Sequence, residues 1–338
     1  TIMDGAGMIR ADVLTADATG SMILDTSVAT LDASVSGAGS ILVLEADAIN
    51  LLDVDTANGP ITVAAGGLLT ATDVATGGTA GEDIALTSTG AGIEVVSVNA
   101  GAANATLDAQ AGAITKSGAG LVTADTLTAD AATGIDLSTA VAALDASVTG
   151  IGDIVIDQTG AINLFDVDTA NGAITVTADG PITARDVASL TDNDANDISL
   201  TTTAGDIAPG IVNAGTAGDV TLNTAGKIID GAGKITADVL TADAAGGKMT
   251  LDTTVASLNA STSAAGYIAV TETDAINLLD VDTADGWIAV FAGGAITATD
   301  VASLTDNDAN HITLTTTAGG IVAGIVNAGA AGDVTLNS

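Results

Sequence analysis

One pattern recurs three times along this chain, and that recurrence limits the folds open to it. Asp4-Gly5-Ala6-Gly7 returns as Ser117-Gly118-Ala119-Gly120 and as Asp230-Gly231-Ala232-Gly233. Leu52-Asp53-Val54-Asp55-Thr56-Ala57 returns as Phe165-Asp166-Val167-Asp168-Thr169-Ala170 and as Leu279-Asp280-Val281-Asp282-Thr283-Ala284. The period is about 113 residues, giving copies at 1–113, 114–226 and 227–338. Such long-range periodicity without a unique insert belongs to scaffolds built from stacked units. Both ends lie inside the pattern, as expected for a stretch of a longer array or for a chain that polymerises end to end.

A finer period sits inside the long one. Each copy divides into five turns of about 20 to 25 residues, the length of one solenoid coil. Short alternating runs mark the turns: Met22-Ile23-Leu24, Ile41-Leu42-Val43, Ile61-Thr62-Val63 and Ile84-Ala85-Leu86. Alternation at period two in Ile, Val, Leu and Thr predicts half-buried strands. Gly, Asn and Asp between the runs supply corners. Ala favours helix, but no helical apolar stripe survives the Gly and Thr interruptions. An antiparallel sandwich is the rival. The even coil length favours an all-β, right-handed parallel β-helix (β-solenoid) of about 15 coils, one continuous solenoid roughly 70 Å long at the usual strand spacing.

The net charge is −36, from 42 acidic and six basic residues, yet 47% of residues are apolar. Mean hydropathy is +0.52, which excludes a disordered acidic tail. The apolar side chains are small, as a narrow lumen demands, so the acids belong outside. Such a surface repels nucleic acid and anionic lipid. No apolar run reaches the length of a membrane span. The absence of cysteine removes disulfides, thiolate metal sites and Cys catalysis.

Catalysis finds little support. His311 is the only histidine and stands where the other copies have Asp83 and Asp197. A triad would have to depend on that one variable position. Paired carboxylates suit glycoside hydrolysis, but aspartate is everywhere, so no pair is singled out. Six scattered cations, Arg10, Lys116, Arg185, Lys227, Lys234 and Lys248, are a weak basis for a polysaccharide lyase. The chain is read as non-enzymatic.

Two acidic features point to calcium. Asp12, Asp32, Asp53 and Asp73 lie about one coil apart, as do Asp125, Asp145, Asp166 and Asp186, and Asp238, Asn259, Asp280 and Asp300. Stacked in register, each set is a carboxylate column about 5 Å between neighbours. With Asp55, Asp168 and Asp282 beside them, these columns have the oxygen ligands a hard cation prefers. The loop 191–197, with Asp192 and Asp194, and its copy at 305–311, with Asp306 and Asp308, form a second candidate. The plainer reading is that these aspartates accept backbone N–H groups at corners.

Lys248, Tyr267, Trp287 and His311 each directly precede an inward residue, about a coil apart, so they form one outward column, with Phe291 outward beside Trp287. Grouped exposed aromatics predict a contact surface for a glycan or another chain. Thr rows such as 201–203 and 315–317 raise a third reading, an ice- or mineral-binding face.

Three segments carry a resemblance: Ile-Thr-Ala-Asp-Val-Leu-Thr-Ala-Asp at 235–243, Gly-Asp-Ile-Val-Ile at 152–156 and Ala-Gly-Ala-Ile-Thr at 111–115. Their style resembles the repeats of filamentous-haemagglutinin-like exoproteins, giant bacterial surface or secreted proteins. The resemblance implies a right-handed parallel β-helix, export through a partner transporter, and a role in adhesion and biofilm contact. The expectation is a structural segment of a secreted or cell-surface fibre, bacterial or archaeal: an adhesin shaft, stalk or matrix filament. Its expected partners are copies of itself or flanking repeats, and glycans. The alternative is a carbohydrate-binding or carbohydrate-active module on the same fold.

Overall fold

The computed structural model describes residues 1–5 and 7–338. Among these residues every regular element is a strand, and the strands pair in parallel. Each residue's partner lies one coil further along the chain. Met22 aligns with Ile41, Ile41 with Ile61, and Ile61 with Ile84. This is a parallel β-solenoid, as the pattern predicts, but with about 17 coils rather than 15. The difference arises because several coils are shorter than the expected length of about 20 to 25 residues. Leu127 meets Leu144 after about 17 residues, whereas Ile182 meets Ile207 after about 25.

A coil carries a short strand, such as Ile41–Glu45, and a longer one, such as Ile49–Asn58, whose inward–outward alternation breaks at the exposed pair Leu52 and Asp53. In the short strand Ile41, Val43 and Glu45 point inward while Leu42 and Leu44 point out. The core is a column of Ile on Ile and Leu on Leu, fully buried. Each such side chain contributes about 1.5 to 3 kcal/mol by leaving water, and the ladder hydrogen bonds satisfy its backbone. The inward side chains are aliphatic and of moderate size because opposite walls of each coil must share a narrow lumen. Corners are tighter still. A Cβ on Gly266 would lie 1.3 Å from the Gly247 carbonyl oxygen, so no other residue can turn the chain there.

The chain forms two compact units: residues 1–159 with 169–171, and residues 160–168 with 172–338. In the first, one ladder runs through Met22, Ile41, Ile61, Ile84, Ala105, Leu127 and Leu144. The other runs through Ile49, Leu69, Ile93, Ile114, Ile135 and Ile154. Met22 and Ile135 are equivalent positions of successive copies, yet they occupy different ladders. The second unit repeats this. Ile174 stacks with Ile198 and Val220, while its equivalent Ile288 stacks with Ile312 and Val334 on the other ladder. One copy therefore advances roughly five and a half coils, not five. Each copy thus presents its short strands on the flank where its predecessor presented its long ones.

Candidate functional site

The acidic columns form in part. Asp32 aligns with Asp53, and Val54 with Val74, which sets Asp53 beside Asp73. Asn259 aligns with Asp280, and Val281 with Val301, which sets Asp280 beside Asp300. Asp12, Asp125 and Asp238 do not join. Thr15, Thr128 and Thr241 take the places across from Asp32, Asp145 and Asn259, because the short 17-to-18-residue coils shift the register by three.

Electrostatics within the ridges are repulsive. Burial, followed by Asp53, Asp17, Asp73 and Asp32, pushes the Asp55 carboxyl above its ordinary value. Burial with Asp166 and Asp168 does the same to Asp186, and burial with Asp280 and Asp300 to Asp282. Yet among the described residues no three acidic or histidine side chains converge tightly enough to hold a metal ion. Neighbouring carboxylates run along the axis instead of closing around a point.

Many aspartates bind backbone. Asp83 accepts the N–H of Asn104, Asp197 that of Asp219, and Asp206 that of Lys227, each one coil on. In the loop 191–197, Asp192 accepts N–H groups from Thr216 and Ala217 and the Thr216 hydroxyl, all at 2.7–2.8 Å. These donors hold its carboxyl below the usual range. Asp306 accepts the N–H of Ala331 in the same way. Asp194 and Asp308 lie exposed in these loops. The geometry matches corner caps that tie each coil to the next.

The aromatic column is present as the alternation requires. Ile228 aligns with Met249, Tyr267 with Trp287, and Ile288 with Ile312. The outward neighbours therefore follow in order: Lys227, Lys248, Tyr267, Trp287 and His311. The Tyr267 and Trp287 rings are stacked, 4.4 Å apart and 4° from parallel. The Lys248 ammonium sits 5.6 Å from the Tyr267 ring centre. His311 Nδ1 accepts the N–H of Asp333 at 3.1 Å, a strand cap rather than a poised base. Phe291 is outward between Thr271 and Thr315, and Trp287 and Phe291 remain 39% and 46% exposed. Because the two stacked rings turn their faces to each other, they offer mainly edges to solvent. A second cation–ring contact lies at Arg185, 4.5 Å from the Phe165 ring.

A polar position inside the lumen escaped the sequence reading. Glu45, Gln158 and Glu272 are equivalent and nearly fully buried. Each accepts the hydroxyl of a buried threonine on the preceding rung: Thr26, Thr139 and Thr253. The signal was available, since position 45 shares inward parity with Ile41 and Val43 and is polar in all three copies. That Lys227 and Lys248 have no carboxylate within ion-pair distance among the described residues was not legible, because it depends on neighbours a coil away.

No protein-family model matches this chain, and no curated protein or solved structure matches it either.

Proposed function

We propose that this chain is a structural repeat segment of a giant secreted or cell-surface fibrous protein, a shaft, stalk or matrix filament with no catalytic role. The observation that carries the reading is the run of parallel rungs in each unit, with acidic side chains on its exterior in every copy. A stack of this kind resists bending, because every rung is hydrogen-bonded along its length to the next. Its acidic exterior opposes non-specific clumping of the rods. The resemblance to filamentous-haemagglutinin-like repeats supports the same reading and suggests an adhesive, extracellular setting. Calcium spread along Asp53, Asp55 and Asp73 and their equivalents, bridging neighbouring carboxylates with water in place of a closed three-carboxylate site, would offset the repulsion in the ridges.

Electron microscopy with calcium and with a chelator tests this. Straight rods with an axial repeat near the strand spacing are expected, stiffer and more heat-resistant with calcium. Compact flexible particles would end the fibre reading. Unchanged thermal stability on calcium titration would end the metal part alone. The second reading, glycan contact, rests on Trp287 and Phe291 flanking Ala289 on one exposed strand face. It predicts that Trp287→Ala with Phe291→Ala abolishes binding in a glycan screen.

A further inference from the structure

Three of the six cations of this chain lie between residues 227 and 248. Lys116 is held by Asp136 and Asp157 at 3.1 and 2.6 Å, and Lys234 lies 3.7 Å from Asp252. Lys227 and Lys248 differ. Among the described residues neither has a carboxylate within ion-pair distance. They also lie on adjacent rungs of one column, side by side, where like charges destabilise each other. The fold does not require this. In the second copy the places of Lys227, Lys248, Tyr267, Trp287 and His311 are taken by Ala113, Gly134, Asp153, Ala173 and Asp197.

We propose that the Lys227–Lys248–Tyr267–Trp287 column is the seat for a carboxylate ridge of a second copy of this chain, so that solenoids associate side by side. This rests on the fibre reading and names its partner. The ridges Asp53–Asp73 and Asp280–Asp300 are complementary in charge and share the rung spacing of the column. Two surfaces built on one spacing stay matched along their length when their axes align. The first of these ridges also carries an exposed apolar neighbour, Leu52 beside Asp53, to meet the aromatic rungs. Two ammonium groups would relieve the carboxylate repulsion that, after burial, pushes Asp55 and Asp282 upward. In the second unit the column stands on the Ile288–Ile312 ladder, whereas Asp280 and Asp300 stand on the Ile276–Ile296 ladder. Seat and ridge are thus on different flanks. The contact is heterologous and propagates from rod to rod instead of closing as a dimer.

Sedimentation velocity of the whole chain, at about 50 and about 300 mM NaCl, reads the association, which should weaken at least tenfold at the higher salt. Lys227→Glu with Lys248→Glu should abolish self-association. The same variant, labelled, should still join wild-type protein, because its ridges are intact. Lys227→Ala with Lys248→Ala should fall between. Wild type that stays monomeric at low salt, or association indifferent to the lysines, overturns the inference. So does a labelled variant that no longer joins wild type. Lysine-dependent capture of polygalacturonate without self-association would also overturn it, in favour of an anionic glycan. Straight rods that never associate laterally would leave the fibre reading standing and remove only this one.

Discussion

The rung of Glu272 and the rung of Gln158 hold the same place in their copies and each accepts a threonine hydroxyl and a valine N–H from the strand beneath, but their second terminal atoms meet the corner beyond by opposite chemistry. Glu272 only accepts. Its Oε2 takes the Thr253 hydroxyl at 2.8 Å and the Val255 N–H at 3.1 Å, and its Oε1 takes the Asp274 N–H at 2.8 Å. Gln158 accepts and donates. Its Oε1 takes the Thr139 hydroxyl at 2.7 Å, while its Nε2 gives hydrogen bonds to the carbonyls of Val141 and Thr159 at 2.8 and 3.0 Å. The corner follows the side chain. An acceptor needs an N–H two residues on, and Asp274 supplies it. A donor needs a carbonyl one residue on, and Gly160, at φ +85°, lets the backbone take the turn that presents it. Glu45 repeats the first solution with the N–H of Asp47 at 3.1 Å. One terminal atom thus decides the orientation of a peptide and the need for a glycine.

The largest expected break of this comparison is Gln158→Glu. A buried carboxylate would face two carbonyl oxygens with no donor to spare, a loss of about 3 kcal/mol at neutral pH. Thermal unfolding, with hydrogen exchange at Val141, would show it. Adding Gly160→Asp should recover part of the loss if the corner can convert to the Glu form, and none if the backbone is locked. Next comes Thr253→Val, which removes a hydroxyl donor from a carboxylate and should cost about 2 kcal/mol, against about 1 for Thr139→Val below the neutral amide. Equal losses would mean that the charge on Glu272 adds nothing. Glu272→Gln is milder, about 1 kcal/mol, because only the amide facing the Asp274 N–H is mismatched.

The smallest effect is in pH. Burial raises the Glu272 carboxyl, against the pull of its hydrogen-bond donors. A raised folded-state value means the native state binds the proton first. Stability from this group is then full below the unfolded value and fades as pH rises through the folded one. Asp230, pushed up by burial to about 6, acts in the same sense. The melting temperature should therefore rise as pH falls from about 7.5 to about 5.5, the range around the Asp230 value, with a shallower slope in Asp230→Asn. A flat profile in the wild type would contradict the raised Asp230 carboxyl.

Much of this was legible beforehand. The strands, the inward Ile, Val and Leu, and the outward lysine–aromatic column all follow from alternation plus a coil length. The aspartate columns were legible only in part, because Asp12, Asp125 and Asp238 sit beside coils that run short, and a short coil moves a residue off its column. The lumen rung at Glu45, Gln158 and Glu272 was hidden by the expectation that acids stay outside. That expectation fails when every acceptor atom finds a donor.

By itself the sequence determined that the chain winds into parallel coils, since period-two runs of small apolar residues at nearly even spacing bury themselves most fully by stacking. Only the tertiary structure decided the phase. Whether equivalent residues share a flank depends on the summed lengths of all the coils between them, and coils of about 17 to about 25 residues bring one copy to a half-integral count. Which lysines, among the described residues, went without a carboxylate in ion-pair distance, and which rings turned their faces to each other, then followed from that winding and not from any local motif.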